Sequence, residues 1–164
     1  NRYLFVEARI RNTATVEKLK NVEFNNQISM EIDISGGGSE EWGDMTQAFK
    51  NITQAINEVL FSANYLCDGG FGSTIVTGAS PTISMSGDYI KGDSVCEYLD
   101  DIQYEIGDKR ISKIKMKRGS GTLTCPVTLT GVAIAGGDST APNSVNITIA
   151  LNGKPTFTKG ATTE

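Results

Sequence analysis

The stretch Asp68–Ser80, DGGFGSTIVTGAS, sets four glycines around Phe71 and is the first place to look for chemistry. Glycine-rich turns hold phosphate when their backbone N–H groups converge on it. A Walker loop also needs a lysine after its last glycine, and here Ala79 and Ser80 follow Gly78. A dinucleotide loop must open directly into a helix, whereas TIVTGASPTISMSG reads as turn and strand. Gly69 and Gly70 are therefore read as turn formers that supply positive φ. Other chemistries lack their groups. The chain has no histidine, which removes Ser-His-Asp and Cys-His nucleophiles and the commonest transition-metal ligand. Asp100 and Asp101 are adjacent, and neighbours on a helix point about 100° apart, a poor general acid–base pair. Cys67, Cys96 and Cys125 form no CxxC pair, so they are read as buried free thiols rather than disulfides or zinc ligands. The expectation is a protein that is not an enzyme, with no catalytic, cofactor or metal residues.

Bulk properties narrow the class further. A chain of 164 residues suits one domain, 1–164, with a core of its own. A net charge of -4 and a pI near 4.9 disfavour a protein that grips nucleic-acid phosphates. No apolar run approaches the roughly 20 residues that cross a bilayer, so no membrane association is expected. NRYLFVEARIRNT carries charges inside its apolar stretch and does not read as a secretory signal.

The elements that would position any site are mostly strands. TLTCPVTLTGVAIAG alternates Leu123, Cys125, Val127, Leu129 and Ala133 against Thr122, Thr124, Thr128 and Thr130, the period of a half-buried antiparallel strand. Pro126 removes one donor there and predicts a bulge or an edge. SVNITIALNG, PTISMSGDY, QISMEIDIS and RYLFVEARI repeat the alternation. One helix is predicted over residues 93–106, capped by Asp93, with Val95, Leu99, Ile102 and Ile106 as its apolar stripe and Gly107 as its stop. KRISKIKMKR then turns Ile114 and Met116 inward and Lys113, Lys115 and Lys117 outward. Residues 44–66 fit a helical stripe and a β-rich composition, and the surrounding strands favour strand and loop. Long loops are expected near 35–47, 67–81 and 136–144, with a short flexible C-terminus at 156–164. The fold class is mainly β: an antiparallel β-sandwich or partial barrel with one flanking α-helix.

Several residues fit surface roles. Trp42 sits in SEEWGDM, where it either anchors a loop or makes an external contact. The acids between Asp93 and Asp108 precede a run of bases from Lys109 to Arg118. They read either as two solvated faces or as complementary patches across a subunit contact, and alternating lysines also guard a strand edge.

The ordered series GFGSTIVTGAS, SMSGDYIKGD, YEIG, KRISKIKMK, CPVTLTGVAIAGGD and LNGKP resembles the major tail tube proteins of long-tailed, siphovirus-type phages of Gram-positive bacteria, over residues 42–155. The resemblance implies a structural subunit that assembles into stacked hexameric rings around a tape-measure protein. The tube later conducts double-stranded DNA without binding it specifically. It also implies a tail terminator and a tail assembly chaperone as partners, and a place in the virion tail after assembly in the host cytoplasm. Under that reading Glu31 and Asp33, and more weakly Asp88, are candidates for an anionic lumen. Trp42, Phe71, Lys113, Lys115 and Lys117 are candidates for subunit or ring contacts. The competing reading is an immunoglobulin-like binding or adhesion module of a surface protein.

Overall fold

The computed structural model describes residues 17–119 and 121–160, so the strand expected at RYLFVEARI lies outside the described residues. The main sheet is antiparallel throughout. Its strands are β1 (Ser29–Asp33), β2 (Trp42–Asp44), β3 (Phe49–Ala55), β6 (Thr82–Asp88), β7 (Ile111–Arg118), β8 (Gly121–Ile134), β9 (Ser144–Leu151) and β10 (Thr156–Lys159). The order is β2-β1-β7-β8-β9-β6-β3. β4 (Glu58–Ala63) and β5 (Ser73–Ala79) form a separate two-stranded ladder.

Period two decides which side of each strand is buried. Ile114 and Met116 on β7, Leu123, Cys125, Val127 and Leu129 on β8, and Val145, Ile147 and Ile149 on β9 all point into one core. Met30, Ile32, Ile83 and Met85 close it from β1 and β6. β8 is the spine. Its first half pairs with β7 on one side, and its second half pairs with β9 on the other. β10 continues the line of β9 along β8, pairing Thr156 with Thr124 and Lys159 with Gly121. Pro126, which has no N–H to give, lies where β9 hands over to β10, and its carbonyl accepts from Asn152 N at 2.9 Å. The bulge sits further along instead, between Thr130 and Ala133.

α1 (Ser94–Ile102) begins where Asp93 accepts from Cys96 N at 3.0 Å. It buries Val95, Cys96, Leu99 and Ile102. Gly43 on β2 lets it approach: a Cβ there would stand 2.6 Å from Val95 Cγ2. The helix is shorter than its apolar stripe. It ends at Ile102, and Ile106 is 86% exposed rather than buried. Gly107 has φ +69, but it starts a 3-10 turn (Gly107–Arg110) instead of capping the helix. That turn brings Arg110 back under the helix end, where Nη2 donates to Gln103 O at 2.6 Å and Nε to Glu105 O at 2.8 Å. A guanidinium thus satisfies carbonyls that the sequence assigned to a glycine cap.

Three further expectations change. Residues 67–81 are mostly strand, because β5 occupies Ser73–Ala79. Residues 156–159 are a paired strand, not a flexible tail. Cys67 is exposed, while Cys96 and Cys125 are buried free thiols. Residues 44–66 are strand for most of their length, as β3 and β4.

Candidate functional site

β3 with β6 and β4 with β5 are two halves of one long hairpin. Ala55 pairs with Thr82, and Glu58 pairs with Ala79, so the register runs straight across the break. The inner half lies in the main sheet. The outer half, β4-β5, leaves the sheet as an arm of about 20 Å at the usual rise per residue. Asn57 makes the elbow. It holds φ +52, and its Nδ2 donates to Ser80 O at 2.9 Å. Asn tolerates this left-handed region because its short side chain bonds the local backbone.

The arm carries apolar side chains on both faces. Phe61 lies opposite Ile75, and Leu60 lies opposite Val76 on the other face, all of them exposed. At the tip Leu66 is fully exposed and Phe71 is 83% exposed. The tip geometry is built locally: Asp68 accepts from Tyr65 N at 3.0 Å, and Gly69 and Gly70 hold φ +61 and +94. The glycines of DGGFG therefore turn a hairpin. Isolated two-stranded ribbons are marginal in water, and this one leaves large apolar side chains exposed on both faces.

The outward side of the main sheet divides into two chemically different regions. Over β2, β1 and β7 it is charged. Glu31 stands between Asp44 and Lys115, Lys113 Nζ reaches Glu40 Oε1 at 2.6 Å, and Lys115 Nζ lies 3.7 Å from the Trp42 ring centroid. Asp33 faces its own backbone: Oδ1 accepts from Ser35 N at 3.0 Å and Glu41 N at 3.1 Å. Burial pushes its carboxyl up, but those bonds and the Lys113 charge outweigh this and hold it below its ordinary value. The bond from Lys113 likewise lowers Glu40, and that bond to Glu40 raises Lys113. Glu31 and Asp33 thus sit among cations and N–H donors rather than forming a bare acidic face.

Over β8, β9, β6 and β3 the outward side is uncharged. Thr130, Thr148, Ser84 and Thr53 form one row across the four strands. Thr128, Ala150, Thr82 and Ala55 form the row on one side of it, and Asn146, Ser86 and Asn51 the row on the other. Asp88 lies at the rim of this face and is paired with Lys50.

Among the described residues this sheet has open edges, and β3 pairs only with β6. β8 beyond Leu129 pairs with β9 but not with β7. Arg110 Nη1 donates to Leu129 O at 3.3 Å where that free edge begins.

Of the contact residues expected from sequence, Phe71 lies at the arm tip. Trp42 and the three lysines share the charged face, and Lys113 and Lys115 are engaged within the chain. The arm itself, the elbow at Asn57 and the role of Arg110 were not read from the sequence. Adjacent apolar residues such as Leu60-Phe61 and Ile75-Val76, set symmetrically about DGG, were the signal available. Among the described residues no group of three His, Cys, Asp or Glu is placed to hold a metal ion, and no helix is long and apolar enough to cross a membrane.

No family model and no curated protein matches this chain. Solved structures do. A chain in the tail of an empty gene transfer agent particle, refined with C6 symmetry, superposes with a TM-score of 0.66 at 18% identity, covering 84% of this chain and 99% of that one. A chain in the virion of a native gene transfer agent particle gives 0.66 at 16% identity, with the same coverage. A chain in the sheath–tube complex of an extracellular contractile injection system gives 0.57 at 11% identity, covering 85% of this chain and 93% of that one. At these identities the likeness is one of fold: a mainly β, antiparallel fold with one helix, shared with chains of phage-like tail and injection assemblies.

Proposed function

We propose that this chain is a structural tail tube subunit of a phage virion, built to assemble with copies of itself and not to catalyse. The observation that carries the reading is the hairpin arm, whose two apolar faces are exposed among the described residues. The edges left open among the described residues, β3 and the part of β8 beyond Leu129, support it. Pairing β3 of one copy with the free edge of β8 in the next is a head-to-tail contact, and such contacts close into rings when the rotation allows.

Strand geometry then sets the bore. With sixfold symmetry, as in the C6 gene transfer agent tail, each copy contributes four strands. At a spacing of about 4.8 Å and a tilt of about 40°, the closed sheet has a backbone diameter of about 48 Å. Side chains about 5 Å deep on each wall leave a bore of about 40 Å, wide enough for a DNA duplex. The uncharged rows of Thr, Ser and Asn are the lining this arrangement favours, in place of Glu31 and Asp33. A cationic wall would bind phosphates and release counterions, whereas hydroxyls and amides without charge give no salt-dependent grip. Asp88, paired with Lys50, would border the lining.

The long-tailed type of the virion, the Gram-positive host and assembly in its cytoplasm follow from the sequence resemblance. So do the tape-measure protein, the tail terminator, the assembly chaperone and the passage of DNA.

The test removes the arm. Replacing residues 58–79 by a two-residue Asn-Gly turn leaves the main sheet and its core untouched. The shortened protein should unfold at the wild-type denaturant midpoint and stay monomeric under conditions where the wild type forms tubes. Normal tubes from this variant would remove the arm, and with it the main support for the reading.

A further inference from the structure

Asn152 is the one asparagine of the sequence that a glycine follows, and it opens the turn 152–155 between β9 and β10. The fold holds it at two points. Its backbone N–H donates to Pro126 O at 2.9 Å, and its Nδ2 donates to Thr128 Oγ1 at 2.8 Å. Gly153 is held less. It is exposed at φ +83, its N–H has no acceptor among the described residues, and a Cβ there would meet nothing within 4 Å. With no side chain, it leaves its own nitrogen open to the neighbouring carboxamide. We propose that Asn152-Gly153 is a self-modification site, where the Gly153 nitrogen displaces the Asn152 amide and the isoaspartyl product frees β10 from β8.

The reaction needs only water. The Gly153 nitrogen gives its proton to solvent and attacks Asn152 Cγ. A bond forms between them, the Cγ–Nδ2 bond breaks, and the amide takes a proton from solvent and leaves as ammonia. Water then opens the five-membered imide. Cleavage at Cγ leaves aspartate, and cleavage at the backbone carbonyl leaves isoaspartate, whose main chain runs on through Cβ. Aspartate keeps the length of the chain. Thr128 Oγ1 is a hydroxyl and turns from acceptor to donor towards the new carboxylate. That carboxylate, ionised at neutral pH, stands beside the uncharged row to which Thr128 belongs. Isoaspartate lengthens the path by one C–C bond, about 1.5 Å. The backbone N–H of residue 152 is tied to Pro126 O and Pro155 has a fixed φ, so Gly153 and Lys154 alone must absorb the shift. N–H···O distances tolerate about 0.5 Å. β10 is the strand that yields: it has four exposed residues and, among the described residues, pairs with β8 alone. Phe157 leaves with it, and its ring lies so close over Gly121 that a Cβ there would stand 2.3 Å away.

The test incubates the full-length protein in mildly alkaline buffer, followed by peptide mass mapping and labelling with an isoaspartyl-specific methyltransferase. Asn152 should convert about twofold to tenfold more slowly than in the free peptide 149–155, the hold of one hydrogen bond from Nδ2. Thr128→Val, which removes that acceptor, should restore the rate of the peptide, and Asn152→Ser should abolish the label. Amides of Thr156–Lys159 should exchange hydrogen faster in the isoaspartyl form, whereas Asn152→Asp should exchange as the unmodified protein does. Complete protection of Asn152 while the peptide converts would overturn the proposal. Isoaspartate at 152 with unchanged exchange across Thr156–Lys159 would overturn the release of β10.

Discussion

Replacing Arg110 by alanine should cost this small protein about 3 kcal/mol, although the residue lies in a run of charges that reads as surface. Its guanidinium donates to Gln103 O at 2.6 Å and Glu105 O at 2.8 Å, and more weakly to Leu129 O at 3.3 Å. A hydrogen bond from a charged donor contributes about 1.5–3 kcal/mol net. The two short bonds would give about 3–6 kcal/mol, and the longest lies beyond the usual N–H···O range and adds little. Arg110 is half-buried, so water can reach part of the vacated site, and the low end of that range applies. Lysine offers a point charge in place of the planar fork, and should recover less than half of the loss. Urea unfolding of the wild type, Arg110→Ala and Arg110→Lys measures this directly, with unchanged m-values as the sign that the native fold persists. Losses below about 1 kcal/mol for Arg110→Ala, or Lys as stable as Arg, would refute the claim that the fork secures the helix end.

Leu99→Ala, at a fully buried position of α1, should lower stability by about 2–5 kcal/mol in the same assay, and a smaller change would mean that the core there collapses to fill the space. Gly87→Ala should cost about 1–3 kcal/mol, because a Cβ at Gly87 would stand 2.0 Å from Ala48 O where β3 bulges, and backbone cannot move as a side-chain tip can. The carboxyl of Asp33 is held below its ordinary 3.8, so its contribution is present above that value and is lost as pH falls through the lower folded value. Hydrogen exchange at the Glu41 amide should therefore speed up below pH 3.8 in the wild type, and Asp33→Asn should show faster exchange at neutral pH without that acid step.

The sheet was legible in the sequence where burial is one-sided. On β8 from Leu123 to Leu129 and on β9 from Val145 to Leu151 every second residue is apolar and, but for Pro126 and Ala150, those between are threonine or asparagine, so the period and the buried face read together. The helix was legible from Asp93 and its stripe, but its end was not, because Ile106 continues the period into solvent. The arm was hidden for the opposite reason. Leu60, Phe61, Ile75 and Val76 are apolar on both sides of the ribbon, so no single buried face stands out in the period. Asp33 and Glu31 read as a free acidic face because sequence does not reveal that the loop 35–41 folds back on one carboxylate and that Lys115 stands beside the other.

Electron microscopy of the purified, full-length protein, concentrated from dilute monomer, tests the central claim most directly. The account predicts tubes of uniform width made of stacked rings, with a bore of about 40 Å. A monodisperse monomer at every concentration reached would contradict it, and so would filaments without a central channel.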